Sequence, residues 1–277
     1  MINIFSNWFK KEKTASSSKI LFTSIPKCGT HLLLRYFDYV GFKCGGPYDA
    51  TFFKRGLHRY VQNLENGSYS AFHYPWTKEL SDIVRSRNIK VVFLYRDPRA
   101  QICSRIHFIL STPSHCLHKI FKEEIDFSEG IRLLIEGFPP EIIKKIETFS
   151  KGDFDSVPVQ EPGPDSKFPR GINGIYQRYF SWFKEINCYP VRFEDVVGFS
   201  GGGDAEKQLK VVRDIMDFTG VPNGKLTPQE VADALFDKHA NTFRKGQIDS
   251  WRKEFTPELH DLFMREAGGL LKIWGYS

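Results

Sequence analysis

The stretch IKVVFLY, residues 89–95, runs directly into Arg96-Asp97-Pro98. Apart from Lys90 it is apolar throughout, with no polar residue at alternate positions. A strand of that kind is buried on both faces, which is the habit of parallel sheets covered by crossover helices. Three other runs, KILFTSI (19–25), SYSAFHY (68–74) and CYPVRFE (188–194), read as strands and alternate with helical patterns. The expected architecture is a single α/β domain with a mainly parallel sheet of about five strands flanked by helices.

Helix signals fall between and after these runs. Leu32, Leu33, Tyr36, Phe37 and Val40 recur at helical spacing, with Gly41 placed to end the helix. Asp97 followed by Pro98 reads as a cap and first helical residue, opening a helix through about residue 110. Further helices are expected over 173–186, 204–219, 228–239 and 257–267, the third-last of these bounded by Asp204 and Gly220. The Pro-, Gly- and Asp-rich stretch 150–174 is expected to hold no regular element. At 277 residues one core is the default, with residues 1–18 as a flexible leader and 19–277 as the domain. The leader places apolar residues before its lysines, the reverse of a signal peptide.

No apolar run approaches the roughly 20 residues needed to span a bilayer, so no membrane span is expected. Five scattered cysteines form neither a disulfide framework nor a metal-binding pair, which fits a reducing cytoplasm. A formal charge of +6, not gathered into one tail, points to an anionic ligand and away from nucleic acid.

Where that anion sits is suggested by Pro26-Lys27-Cys28-Gly29-Thr30, which follows the first strand and opens the first helix. A helix N-terminus leaves backbone N–H groups unpaired and favours an anion there. Lys27 adds a charge and Thr30 a hydroxyl, with Cys28, Gly29 and His31 completing the turn. The order differs from a Walker A loop, because Lys27 precedes Gly29. A thiol so placed, beside Lys27, is expected to have a lowered pKa and to be alkylated readily. Arg96 at a strand end and Ser104 two turns into the next helix form a second candidate anion site. Arg244, Lys245 and Gly246, in NTFRKGQIDSW, form a third. For a general base, a group titrating near neutrality is wanted, and His73 stands at a strand end on the same rim, with Pro75 breaking the chain after it. His31 is its main rival and His107 a weaker one.

Taken in order, PKCGT, RDPRAQICSRIHF, VRFEDVV and RKGQIDSW resemble the cytosolic-type sulfotransferases that use 3′-phosphoadenosine 5′-phosphosulfate (PAPS). The resemblance covers most of residues 19–276 and implies a P-loop NTPase-like sulfotransferase fold. It implies transfer of a sulfuryl group from PAPS to a hydroxyl or amine of a small-molecule acceptor, with adenosine 3′,5′-bisphosphate (PAP) as the product. It further implies that Lys27 acts with His73 in catalysis. Lys27, Cys28, Gly29, Thr30 and His31 would hold the 5′-phosphosulfate, and Arg96, Ser104, Arg244, Lys245 and Gly246 the 3′-phosphate. No metal is expected, since lysine, helix dipole and backbone donors stabilise a leaving phosphate. Leu32 stands where many members carry a tryptophan against adenine, and Ala71 where a lysine commonly precedes the histidine by two residues. Residues 111–170 match no family pattern and are expected to form the acceptor lid. The alternatives are a P-loop-type nucleotide-dependent kinase, or a nucleotide-binding module without catalysis.

Overall fold

The structure, a computed structural model, describes residues 16–45, 57–149, 170–235 and 246–277. Five strands, β1 (Ile20–Ser24), β2 (Lys43–Cys44), β3 (Ser68–Phe72), β4 (Lys90–Tyr95) and β5 (Cys188–Arg192), form one sheet in the order β2-β3-β1-β4-β5. Every pairing is parallel. The expected single α/β domain with about five mainly parallel strands is therefore what the chain forms, and the one strand not foreseen is the two-residue β2.

The helices before β5 are α1 (Thr30–Tyr39), α2 (Leu57–Gln62), α3 (Lys78–Ser86), α4 (Pro98–Ser111), α5 (His118–Glu123), α6 (Phe127–Glu136), α7 (Pro140–Phe149) and α8 (Gly171–Phe180). After it come α9 (Phe193–Val196), α10 (Ala205–Thr219), α11 (Pro228–Leu235) and α12 (Pro257–Trp274). Caps fix several of these ends: Asp97 accepts from the Arg99 amide and Asp204 from the Lys207 amide, while Gly220 closes α10 with φ of 74°. The sequence stopped α12 at residue 267, before Gly268 and Gly269. The helix continues because Leu270, Leu271 and Trp274 extend its buried stripe. Their burial, at about 1.5–3 kcal/mol for a large side chain, exceeds the roughly 1 kcal/mol that each glycine costs a helix. The helix expected over 173–186 spans α8 and breaks at residue 181 into a 3-10 turn, Ser181–Lys184.

The described parts of two further segments pack into this core. Leu117, Ile120, Phe121, Ile131, Leu134 and Phe138, all within 111–170, are buried in the same apolar cluster as the sheet. Ser16, at the inner end of the leader, is buried and donates its hydroxyl to the Thr219 carbonyl at 2.9 Å. Among the described residues no helix is long and apolar enough to cross a membrane.

The registers decide where chemistry can gather. Thr23 pairs with Phe72, Ser24 with Leu94, and Tyr95 with Arg192. The residues that leave β1, β3, β4 and β5 therefore emerge side by side on one rim, the carboxyl-end crevice where open α/β sheets bind ligands.

Candidate active site

The turn after β1 is a left-handed concavity. Lys27 has φ of 67° and Gly29 φ of 91°, and the Cys28 amide donates to the Ile25 carbonyl at 3.3 Å. A Cβ on Gly29 would stand 2.5 Å from the Phe193 ring, so that close approach and the φ both demand glycine. Gly29 is also the N-cap of α1, which has no side-chain cap and no acid in its first turn. The positive end of the helix dipole is left for an external anion.

Half-buried Lys27 lays its Nζ 3.8 Å from the centre of the Phe108 ring. Burial pushes its pKa down to about 8, opposed by Cys28 and assisted by Arg96. Cys28 itself departs from expectation. Its side chain is 0% exposed, and burial pushes the thiol up, not down. Its Sγ faces the Pro26 carbonyl inside the fold, where the solvent-facing dipole of the helix end does little for a thiolate. What Cys28 offers an anion is its main chain.

Arg96, leaving β4, is 8% exposed. Its guanidinium lies 4.3 Å from the Phe193 ring centre, and Nη2 donates to the Gln247 carbonyl at 2.9 Å. Its Nε is buried with no partner. Leaving a buried charged donor unmade costs more than an ordinary hydrogen bond returns, which makes this atom a candidate donor to a ligand oxygen. Gly246, φ 57°, lies next to the Gln247 carbonyl that Arg96 holds. Ser104 is half-buried on α4, the helix that Asp97 caps. Arg244 and Lys245 lie outside the described residues. Glu194 braces this corner, accepting from the Asp97 amide at 3.1 Å and the Tyr276 hydroxyl at 2.9 Å, and burial raises its pKa.

His73 leaves β3 beside the turn. Its carbonyl accepts from the Tyr179 hydroxyl at 3.0 Å, and its Nδ1 lies 2.9 Å from the Ser24 carbonyl. Burial pushes its pKa down to about 4, against the bond to Ser24 and with help from Lys27 and His31. The expected base titrating near neutrality is corrected accordingly: at pH 7 this imidazole is neutral and a weaker base. His31, half-buried in the first turn of α1, is also lowered, by burial and then by Lys27. His107 faces away, with Nε2 3.1 Å from Glu254. Lys27, Gly29, Arg96 and His73 are thus brought to one rim.

Sequence reasoning passed over three residues here. Phe108 is the shelf for Lys27, and its ring meets His115 edge-on at 5.7 Å. Burial, Arg105 and Lys27 push His115 down to about 4. An aromatic in a helix carries no local sign of the cation it will meet, whereas Ser24, also passed over, carries a signal in being the hydroxyl that ends β1. Among the described residues no group of three His, Cys, Asp or Glu side chains is placed to hold a metal.

Solved structures share this arrangement of elements. Mouse sulfotransferase SULT7A1 complexed with PAP matches with a TM-score of 0.58 at 15% identity, over 95% of this chain and 91% of that one. Retinol dehydratase in complex with androsterone and inactive cofactor PAP matches at 0.51 and 14% identity, over 93% and 81%. Retinol dehydratase with retinol and PAP matches at 0.53 and 13%, over 93% and 82%. No protein-family profile matches the sequence, and no curated protein does. The likeness is one of fold: this chain has the single-domain, five-stranded parallel α/β fold of the sulfotransferases.

Proposed function

We propose that the chain is a PAPS-dependent sulfotransferase that modifies a hydroxyl or amine of a small-molecule acceptor. One observation carries the reading: an uncapped helix end with Lys27, a buried Arg96 with an unpartnered Nε, and a neutral histidine all share the rim of the sheet. Two cationic sites on one rim of the sheet suit a ligand with two phosphate-type groups, and a fold shared with PAP-binding structures adds support. PAPS, when bound, supplies the sulfuryl group, and its 5′-phosphate leaves with the electron pair of the broken S–O bond.

The chain's own residues do the rest. Lys27 and the main chain of Cys28, Gly29 and Thr30 would hold the 5′-phosphosulfate, with His31 alongside. Arg96 and Gly246, together with Ser104, Arg244 and Lys245, would hold the 3′-phosphate. His73 would accept the acceptor's proton on Nε2. Preorganised donors stabilise developing charge without reorganisation. Phenols, alcohols, amines and sugars are all open as acceptors, with secondary metabolites, carbohydrates and lipids as their sources. A cytoplasmic site remains part of the proposal.

The test is sulfated product from PAPS and a panel of those acceptors, followed by mass spectrometry. His73→Ala is expected to lower kcat by about 10²–10⁴ with PAP affinity nearly intact, because the base acts in the transition state. PAP should bind far more tightly than AMP, as charge-assisted bonds contribute about 1.5–3 kcal/mol each. Equal affinities would sink the 3′-phosphate assignment. PAP binding without transfer to any acceptor would identify a silent nucleotide-binding module, and magnesium-dependent phosphoryl transfer a kinase.

A further inference from the structure

β1 ends on two hydroxyls, Thr23 and Ser24, which strand alternation sends to opposite faces of the sheet. Both reach the chain leaving β3. Thr23 Oγ1 donates to the Tyr74 carbonyl at 2.9 Å and accepts from the Tyr74 amide at 3.0 Å, fixing the main chain just after His73. Ser24 takes the ring itself: its carbonyl is 2.9 Å and its Oγ 3.0 Å from His73 Nδ1. Ser24 Oγ is also 2.8 Å from Thr30 Oγ1, in the first residue of α1.

Hydrogen positions follow from valence. A carbonyl oxygen only accepts, so Nδ1 facing the Ser24 carbonyl carries the ring hydrogen. A Ser24 Oγ that shares this N–H as acceptor turns its own hydrogen away from His73, and Thr30 Oγ1 is the acceptor within reach. Thr30 then donates its hydrogen outside the trio. Ser24 is 0% and Thr30 6% exposed, so bulk water does not scramble this order.

We propose that Ser24 and Thr30 are positioning residues: a one-way hydrogen-bond chain, His73 to Ser24 to Thr30, holds His73 as the Nδ1–H tautomer and ties it to the anion-binding turn. An anion that accepts from Thr30 polarises each bond of the chain in the direction it already has, so filling the turn strengthens the hold on the ring. Base and turn, which come from different strands, are set by one proton order. The consequence for turnover rests on the sulfuryl-transfer reading; the proton order does not.

Imidazole ¹⁵N spectra of the full chain, labelled on histidine and with His73 assigned by its Ala variant, test this directly. At pH 7 the ligand-free protein is expected to show Nδ1 protonated and Nε2 bare, and added PAP to shift the Nδ1 resonance. Ser24→Ala and Thr30→Val should lose that shift, and Thr30→Ser should keep it. In Ser24→Ala, kcat should fall by about 3- to 10-fold, the worth of one hydrogen bond, with the Kd for PAP within twofold. An Nε2–H tautomer in the wild type, or an unaltered PAP response in both Ser24→Ala and Thr30→Val, overturns the chain. An Nδ1–H tautomer in a protein that binds no PAP would uphold the proton order and count against the sulfotransferase reading alone.

Discussion

Raising the pH through 8 is expected to weaken PAP binding well before an ordinary lysine titrates. Burial holds Lys27 near pKa 8 in the free protein, from a starting value of 10.5. That shift is worth about 3.4 kcal/mol at 1.36 kcal/mol per unit. The Phe108 face favours the ammonium by about 0.5–2 kcal/mol, which is less, so the net displacement is downward. A bound phosphate favours the charged form and raises the pKa again, so above pH 8 the protein must take up a proton in order to bind. The charged fraction of Lys27 falls from about ten-elevenths at pH 7 to about one-eleventh at pH 9, and PAP affinity falls about tenfold, or 1.4 kcal/mol. Phosphate ionisation does not interfere, since its second pKa lies at about 6. Isothermal calorimetry at pH 7, 8 and 9, in buffers of differing ionisation enthalpy, reads both the affinity and the proton uptake. Lys27→Arg should flatten the profile, and Phe108→Ala, by admitting water, should move its inflection upward. A wild-type affinity constant from pH 7 to 9.5 with no proton uptake would show that Lys27 is not held in this way.

Gly29→Ala should destabilise the fold by about 2–5 kcal/mol in urea unfolding, combining left-handed backbone strain with overpacking against Phe193. A loss under about 1 kcal/mol would mean the ring does not lie where described. Cys28, buried and with its thiol pushed up, should react slowly with iodoacetamide at pH 7 whether or not PAP is present. Rapid labelling that PAP blocks would restore the low-pKa thiol.

The sheet was legible because its central strands are mostly apolar: β4 runs over Lys90–Tyr95 within the stretch 89–95, and Asp97 caps α4 where its Asp-Pro pair said it would. β2 was not legible. Its two residues are exposed and carry no pattern, and they are a strand only because the Lys43 amide reaches Gly67 and the Gly45 amide reaches Tyr69. At the site, residue types at strand ends were readable, which is why Lys27, Arg96 and His73 could be expected on one rim. Their ionisation was not. The low pKa of His73 and the raised one of Cys28 come mainly from burial beneath residues distant in sequence, and helix-end dipole reasoning has no access to that. Phe108 was missed for the same reason: its partner, Lys27, belongs to another element.

The Phe193 ring lies under both Gly29 and the Arg96 guanidinium, and Arg96 is tied to a carbonyl 151 residues further along the chain. A nascent polypeptide therefore presents its turn after β1 long before the ring that floors it has been synthesised. Parallel pairings and such distant closures place this chain among slow folders of high contact order. During that interval β4 has no β5 alongside, and unpaired strand edges are where incomplete chains associate. Truncations that stop before residue 188, lacking both β5 and the Phe193 ring, should accumulate as aggregates, whereas the full chain gains its last strand and that ring together.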